Sequence, residues 1–501
     1  MKALPRLILA AVVCLSAAIA APPAARAQDL TIALPSALIT LDPVHATVSS
    51  DISMLSSLYS PLVSVGPDMK LRGVLAESWQ QVDPLTWQFK LRAGVTFPNG
   101  EKLDAAAVKW NLERLRDPAV KARAGGWYTA LSEVRAASPT ELVIKTSSPW
   151  PGLLQQFSTL YFTAPQWTQK HNLSTEAMGT GPYDVESYVP GDRVVLRAKK
   201  DYRLGDRPAF ERVVVRIVPD AASRVAGLLT GELDVITEFA PSEIARIKKA
   251  GRFEVGAVES ARSYLARINT EKPPFRDNVA LRQAANLAID KQALIDGLFE
   301  GQGTVANCQL LSKFYFGYNP SLKPYPYDPA RARALVKSSG AAAPVAIDIE
   351  VPTGRYPMAE DMAQAMAQQL NDVGFQATVR QMSFTAYMQK YGAQHDMGPV
   401  ALATYAWISL DTDGQLKVFT PSFSASYWHD KEFVKLLDDA RRATDDAARE
   451  RIYHQATARM CEQAPIIFLF HQKTTYATSR RVDWQARPDD WVRPAEMKPR
   501  K

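Results

Sequence analysis

The residues whose types could do chemistry are six histidines, three cysteines and a few adjacent acids. Zinc hydrolysis needs imidazoles at a spacing that puts them on one helix face, as in His-Glu-x-x-His. His45, His171, His395, His429, His454 and His471 offer no such spacing. No Cys-x-x-Cys pair, Walker loop or Gly-x-Ser-x-Gly elbow is present. Gly301-Gln302-Gly303 follows a helical stretch, whereas a dinucleotide fold needs its glycines at a strand-to-helix turn. The pairs Asp438-Asp439 and Asp445-Asp446 lie on or between helices, as solvated faces or caps. The pattern argues against a local catalytic motif, although it leaves a dispersed active site open. Neither a cofactor nor a resident metal is expected.

The elements that would position any site alternate between strand and helix. Asp29 to Leu34 and Trp87 to Arg92 alternate as strands, the second running toward the turn signal Asn99-Gly100. Leu103 to Arg116 has helical spacing, with Val108, Leu112 and Leu115 on one face. Glu141 to Lys145, Arg193 to Arg197 and the Val-rich Arg212 to Val218 read as strands. Further on, Asp277 and Asp290 are candidate helix caps, and Asp328-Pro329 supplies a cap with an N1 proline. Met358 to Val373 is an expected helix stopped by Gly374, followed by the strand Phe375 to Val379. Helices over Lys431 to Ala443 and Ala447 to Gln463 precede the apolar strand Ile466 to Phe470. Such alternation indicates an α/β architecture.

A chain of 501 residues is too long for one core and suggests two or three domains. No low-complexity linker separates them, so interleaved domains around a hinged cleft are expected. The first 27 residues read as a secretory leader: Lys2 and Arg6, an apolar run from Leu7 to Ala20, and the small-residue site Ala25-Arg26-Ala27. Cys14 follows Val13 where a lipoprotein signal wants a small residue, so a soluble product beginning at Gln28 is expected. Without the leader, 56 basic residues face 52 acidic ones, and no dense Lys/Arg run points to nucleic acid. Cys308 and Cys461 remain; an oxidising compartment permits a bridge, and two buried thiols are the other reading.

Motifs along nearly the whole mature chain resemble those of the family 5 extracellular solute-binding proteins. Leu41-Asp42-Pro43, Leu75-Ala76-Glu77-Ser78-Trp79, and Phe89 to Phe97 followed by Asn99-Gly100 are similar to the family's opening motifs. Gly179-Thr180-Gly181-Pro182-Tyr183 and Gly231-Glu232-Leu233-Asp234 follow. Asn269-Thr270, Pro273-Pro274-Phe275, Arg282-Gln283-Ala284, Ala288-Ile289-Asp290-Lys291, Tyr327-Asp328-Pro329 and Ala464-Pro465 continue in the family's order. Ala105-Ala106-Ala107 departs from it, where acids usually precede the Val.

The resemblance implies a periplasmic-binding-protein-like (type II) α/β fold with two lobes, a hinged cleft and three domains. Domain I would be discontinuous over 28–60, 182–270 and 470–501, with domain II over 61–181 and domain III over 271–469. It implies a periplasmic, Sec-exported, monomeric substrate-binding component of an ABC importer. Such a protein takes a peptide-like small molecule to permease and ATPase subunits and is not an enzyme. Rival readings are a non-peptide solute (metal chelate, opine or sugar), an enzyme on a bilobal frame, and a chaperone-like or sensory binder.

By the same resemblance, Arg355 matches a peptide-carboxylate anchor, with Tyr356 beside it. A family Asp that holds the peptide amine falls here on Ile408 or Leu410. The ligand therefore either lacks a free amine at that point or is met by Asp411 or Asp413. Trp407 is a candidate pocket wall, and Tyr427 a further ligand contact.

Overall fold

The structure, a computed structural model, describes residues 29–500 apart from positions 37, 354, 408, 424 and 444. The expected leader and its cleavage site lie outside the described residues. No described helix is long and apolar enough to cross a membrane.

One large mixed sheet dominates. Its order is Phe375–Ser383, Val345–Thr353, Val400–Tyr405, Phe253–Ile268, Ile466–Ser479, Val235–Thr237, Leu30–Leu34, Arg212–Ile217, Arg193–Ala198, Tyr183–Val189. The short strand Gly303–Val305 also pairs with Ile466–Ser479. A separate antiparallel sheet orders Ala76–Asp83, Thr86–Leu91, Glu141–Thr146 and Leu131–Ser138. Alternate residues of Thr86–Leu91 point inward, which lets Trp87, Phe89 and Leu91 pack on Val108, Leu112 and Leu115 of the helix Ala105–Arg116. Asp104 caps that helix through the amides of Ala106 and Ala107.

Two other cores follow the same logic. Leu30, Ile32, Val213, Val215 and Leu196 pack with Trp484 and Trp491, which brings the C-terminal segment onto the N-terminal strand. Met362, Met366 and Leu370 are fully buried against Val345–Val351, each worth about 1.5–3 kcal/mol of burial.

The long strands Phe253–Ile268 and Ile466–Ser479 join the two halves of the large sheet. The first half of one pairs with the last half of the other, and their register slips between Glu259–Lys473 and Ser263–His471. Three residues of one strand there oppose one of its partner, Gln472, so Ser260, Ala261 and Arg262 form a bulge at the midpoint.

Several local expectations shift. The helix expected behind Asp277 is capped by Asn278, whose side chain accepts from the Leu281 amide, while Asp277 takes a left-handed backbone. The helix expected from Met358 spans Ala359–Asn371, with Met358 left-handed at its N-cap. The strand expected to end at Phe470 runs on to Ser479, because pairing with a neighbour, not its own pattern, sets its length. Asp290 and Asp328 cap as read. Gly179 and Gly181 serve close approach, since a Cβ on either would lie within 2.5 Å of Leu58 backbone atoms. Cys308 and Cys461 form a disulfide with Cα atoms 5.2 Å apart, which decides between the two readings of that pair.

Candidate functional site

Strands from both halves of the large sheet end at the bulged midpoint. Val235–Thr237 runs alongside Tyr476 to Thr478 toward the middle of the long strand Ile466–Ser479. Val400–Tyr405 runs from Ile268 to Ser263 on the other long strand, and Val345–Thr353 is parallel to it. Their C-terminal ends thus converge from opposite directions, where open α/β sheets place ligands.

A cleft of about 300 Å³ lies at that convergence. Glu238 enters it beyond Thr237, Arg355 and Tyr356 beyond Thr353, and Tyr405 and Ala406 at the end of Val400–Tyr405. Arg262 of the bulge and Asp490 also line it. A larger open hollow of about 680 Å³ lies elsewhere, around Asp42, Arg114 and His171. Its Arg114 is already paired with Asp42, and it does not sit where the strand ends meet, so the smaller cleft is the candidate.

The cleft's charges sort into spent and unspent. Asp490 accepts from Ser260 Oγ at 3.0 Å, from Thr474 Oγ1 and from Arg262 Nε at 3.3 Å, so this pair neutralises itself. Arg355 is exposed in the cleft mouth. Its guanidinium lies 5.3 Å from the ring centre of Tyr356 and 5.2 Å from that of Phe384, and among the described residues no carboxylate pairs with it. Glu238 accepts no hydrogen bond through its carboxylate from any described residue. Its side chain lines the cleft. Partial desolvation by the surrounding walls, with Asp490 adding to it, holds its carboxyl above the usual range against the opposing pull of Arg262, Arg224 and Arg355. Gln472 also lines the cleft, and its buried Oε1 has no partner among the described residues.

Behind Tyr405, the buried Arg267 has its guanidinium over the faces of Tyr391, Tyr405 and Phe419, the last at 4.6 Å. No described carboxylate pairs with it either. Among the described residues, two guanidiniums without an acid, Arg355 in the cleft and Arg267 outside its lining, thus stand against one unpaired carboxylate, Glu238.

The residues expected from sequence separate into two groups. Arg355 and Tyr356 line the cleft together. Trp407 follows the lining residue Ala406 but is not itself part of the lining: its ring covers Gly414, where a Cβ would lie 2.2 Å from the indole nitrogen, and meets Trp127 edge-on at 6.0 Å. Asp411 caps the helix Thr412–Lys417 and is packed under Gly152, where a Cβ would lie 2.5 Å from its carboxyl. Burial, reinforced by Asp413, pushes the Asp411 carboxyl up to about 6. Asp413 is paired with Arg441 at 2.8 Å. Tyr427 is buried, donates to the Tyr391 carbonyl at 2.6 Å, accepts from the Met397 amide and stacks on His395. Ile408 lies outside the described residues. Leu410 takes a left-handed backbone and packs with Trp407, and its apolar side chain offers no charge.

Glu238, Arg262, Arg267, Gln472 and Asp490 were not singled out from sequence. One signal was available for Glu238: an acid directly after the buried run Val235-Ile236-Thr237, at a strand's C-terminal end. The other four lie within or beyond strands whose partners are far away in the chain.

The sequence matches the bacterial extracellular solute-binding proteins, family 5 (middle), over residues 70–444. It is 27% identical over 483 residues to the glutathione-binding protein GsiB of Salmonella paratyphi A, covering 93% of this chain and 94% of that one. The fold is similar to the ABC transporter substrate-binding protein CtaP of Listeria monocytogenes, with a TM-score of 0.85 at 21% identity over 94% of this chain and 99% of that one. It is also similar to the periplasmic binding protein DppA of Helicobacter pylori in complex with the peptide STSA, with a TM-score of 0.80 at 22% identity over 95% and 98%. The chain belongs to the family 5 bacterial extracellular solute-binding proteins, with their type II bilobal fold, and serves as the substrate-binding component of an ABC importer.

Proposed function

We propose that this protein carries a small peptide-like solute bearing at least one carboxylate, and that it binds this solute without transforming it. The observation that carries the reading is Arg355: a guanidinium in the cleft with no acid paired to it among the described residues. A planar guanidinium meets a carboxylate with two parallel hydrogen bonds, and its stacking on Tyr356 and Phe384 holds the fork in place for that contact. Arg267 adds positive potential from behind Tyr405. An acidic ligand balances this field, and the relatives named for glutathione and the peptide-bound neighbour point the same way.

The division into 28–60, 182–270 and 470–501, then 61–181, then 271–469 supplies the mechanics of this reading. Closure moves the second segment against the third, and the contacts Trp127–Trp407 and Gly152–Asp411 are where they touch. The closed monomer is presented, on the periplasmic side after Sec export, to the permease and ATPase subunits of its importer.

Mass spectrometry of compounds released from natively purified protein tests the reading. A carboxylate-bearing peptide-like molecule, recovered unchanged after prolonged incubation, is the expected result. A chemically altered product would move the protein to the enzymes, and a ligand without an acidic group would overturn the role of Arg355.

A further inference from the structure

The backbone at Glu238 is left-handed, with φ at +55°, a conformation that non-glycine residues adopt at a cost. The fold over-determines it. Arg224, itself buried, donates to the carbonyls of Thr237 at 3.2 Å and Glu238 at 2.6 Å, and also to those of Val218 and Pro219. On the other side the Glu238 amide donates to the Thr475 carbonyl at 2.9 Å, while Thr475 Oγ1 both accepts from the Phe239 amide and donates to the Phe239 carbonyl. Every one of these bonds grips the main chain. None uses the Glu238 carboxylate, which is aimed into the cleft without a donor among the described residues. A costly backbone clamped from both sides to present an unsatisfied acid is a feature that folding alone does not require.

The neighbouring charges narrow what the acid receives. Arg262 is engaged by Asp490, and Arg224 by four backbone carbonyls, so neither completes Glu238. Among the described residues no cluster of three or more ligating side chains could hold a metal ion. An ammonium group needs less: one carboxylate and a neutral acceptor, and Gln472, a residue of the same cleft lining, has its buried Oε1 without a partner among the described residues.

We propose that Glu238 is the cation subsite of the cleft, and that it holds the ammonium group of a dipolar ligand whose carboxylate lies on Arg355. This rests on the peptide-like reading above and deepens it. It also replaces the expectation of a ligand independent of its amine, since the amine is met by an acid from a different strand end.

The test uses two probe pools on the purified chain, read by native mass spectrometry and titration calorimetry. One pool is glutathione with the dipeptides and tripeptides of a size-filtered casein hydrolysate; the other is the same pool with its amines acetylated. The wild type is expected to retain free-amine probes and to bind their acetylated counterparts about tenfold more weakly or worse. Glu238→Gln should reduce that preference to about threefold or less while leaving the acetylated probes' affinity unchanged. Arg355→Ala should weaken both pools. Unliganded Glu238→Gln should unfold at the wild-type temperature or above it, because the carboxylate makes no bond in the fold; a structural role would lower it. Equal binding of both pools by the wild type, or a preference that survives in Glu238→Gln, overturns the role of Glu238 and leaves the peptide-like reading standing. Retention of nothing from either pool overturns both.

Discussion

The segment 407–413, which follows the cleft residue Ala406 in the chain, and the strand end 237–239 each carry acids, and they spend them differently. In the first, Asp411 caps a helix and Asp413 neutralises Arg441. In the second, backbone groups do all the structural work, through Arg224 and Thr475, and the Glu238 side chain is left over. An acid next to a cleft is therefore not yet a ligand contact. What matters is whether the fold has already supplied its partner.

The sharpest way to break this comparison is at the positive end of the cleft. Arg355→Ala should cost about 2–5 kcal/mol of binding to glutathione, or to whichever carboxylate ligand is recovered from the protein, with little change in unfolding temperature. Arg355→Lys should restore only part, because an ammonium lacks the two-pronged geometry. An unchanged Kd for Arg355→Ala would remove the arginine from the spare charges.

Asp413→Ala should do the reverse. It leaves Arg441 with Asp438 as its one remaining acid among the described residues, so a loss of about 1–3 kcal/mol in stability is expected with Kd unaltered, measured by denaturant unfolding and calorimetry. A large loss of affinity with intact stability would return Asp413 to the site.

Asp411 sharpens the comparison through pH. Its carboxyl is raised from the ordinary 3.8 to about 6, so the folded state holds a proton that the unfolded state releases between those values. Its contribution is favourable below about pH 4 and is lost as pH rises through 6. Asn caps a helix as well as Asp does. Asp411→Asn should therefore flatten the fall in stability between pH 4 and 6.5 and unfold no more easily than wild type at pH 7.5. A profile parallel to wild type would show that Asp411 is better solvated than its packing under Gly152 implies.

The smallest effect is expected at Tyr427. Tyr427→Phe removes the bonds to Tyr391 and Met397 and should cost about 0.5–1.5 kcal/mol of stability, leaving Kd within error. Weakened binding would bring this buried ring back among the ligand contacts.

Much of the frame was legible in the chain. The alternation of Trp87, Phe89 and Leu91, the stripe Met362–Met366–Leu370 and the caps at Asp290 and Asp328 are local patterns, and they appear as read. The failures share a cause. Asn278 replaces Asp277 as a cap because two adjacent polar residues can each serve and packing chooses the register. Ile466–Ser479 outruns its apolar segment because its second half is held by Phe253–Glu259 and Val235–Thr237, some 200 residues earlier.

The same division holds at the site. The order of short motifs from Leu41-Asp42-Pro43 to Ala464-Pro465 was enough to assign the family, and the family resemblance put forward Arg355, ahead of a helix, as a candidate anchor. Those are statements about neighbours in the chain. Whether Asp411, Asp413 or Glu238 faces a ligand depends on Gly152, Arg441, Arg224 and Thr475, residues 14 to 259 positions away from the acid each one touches. A carboxylate's availability is set by the charges and donors that surround it, and only the tertiary structure brings those together.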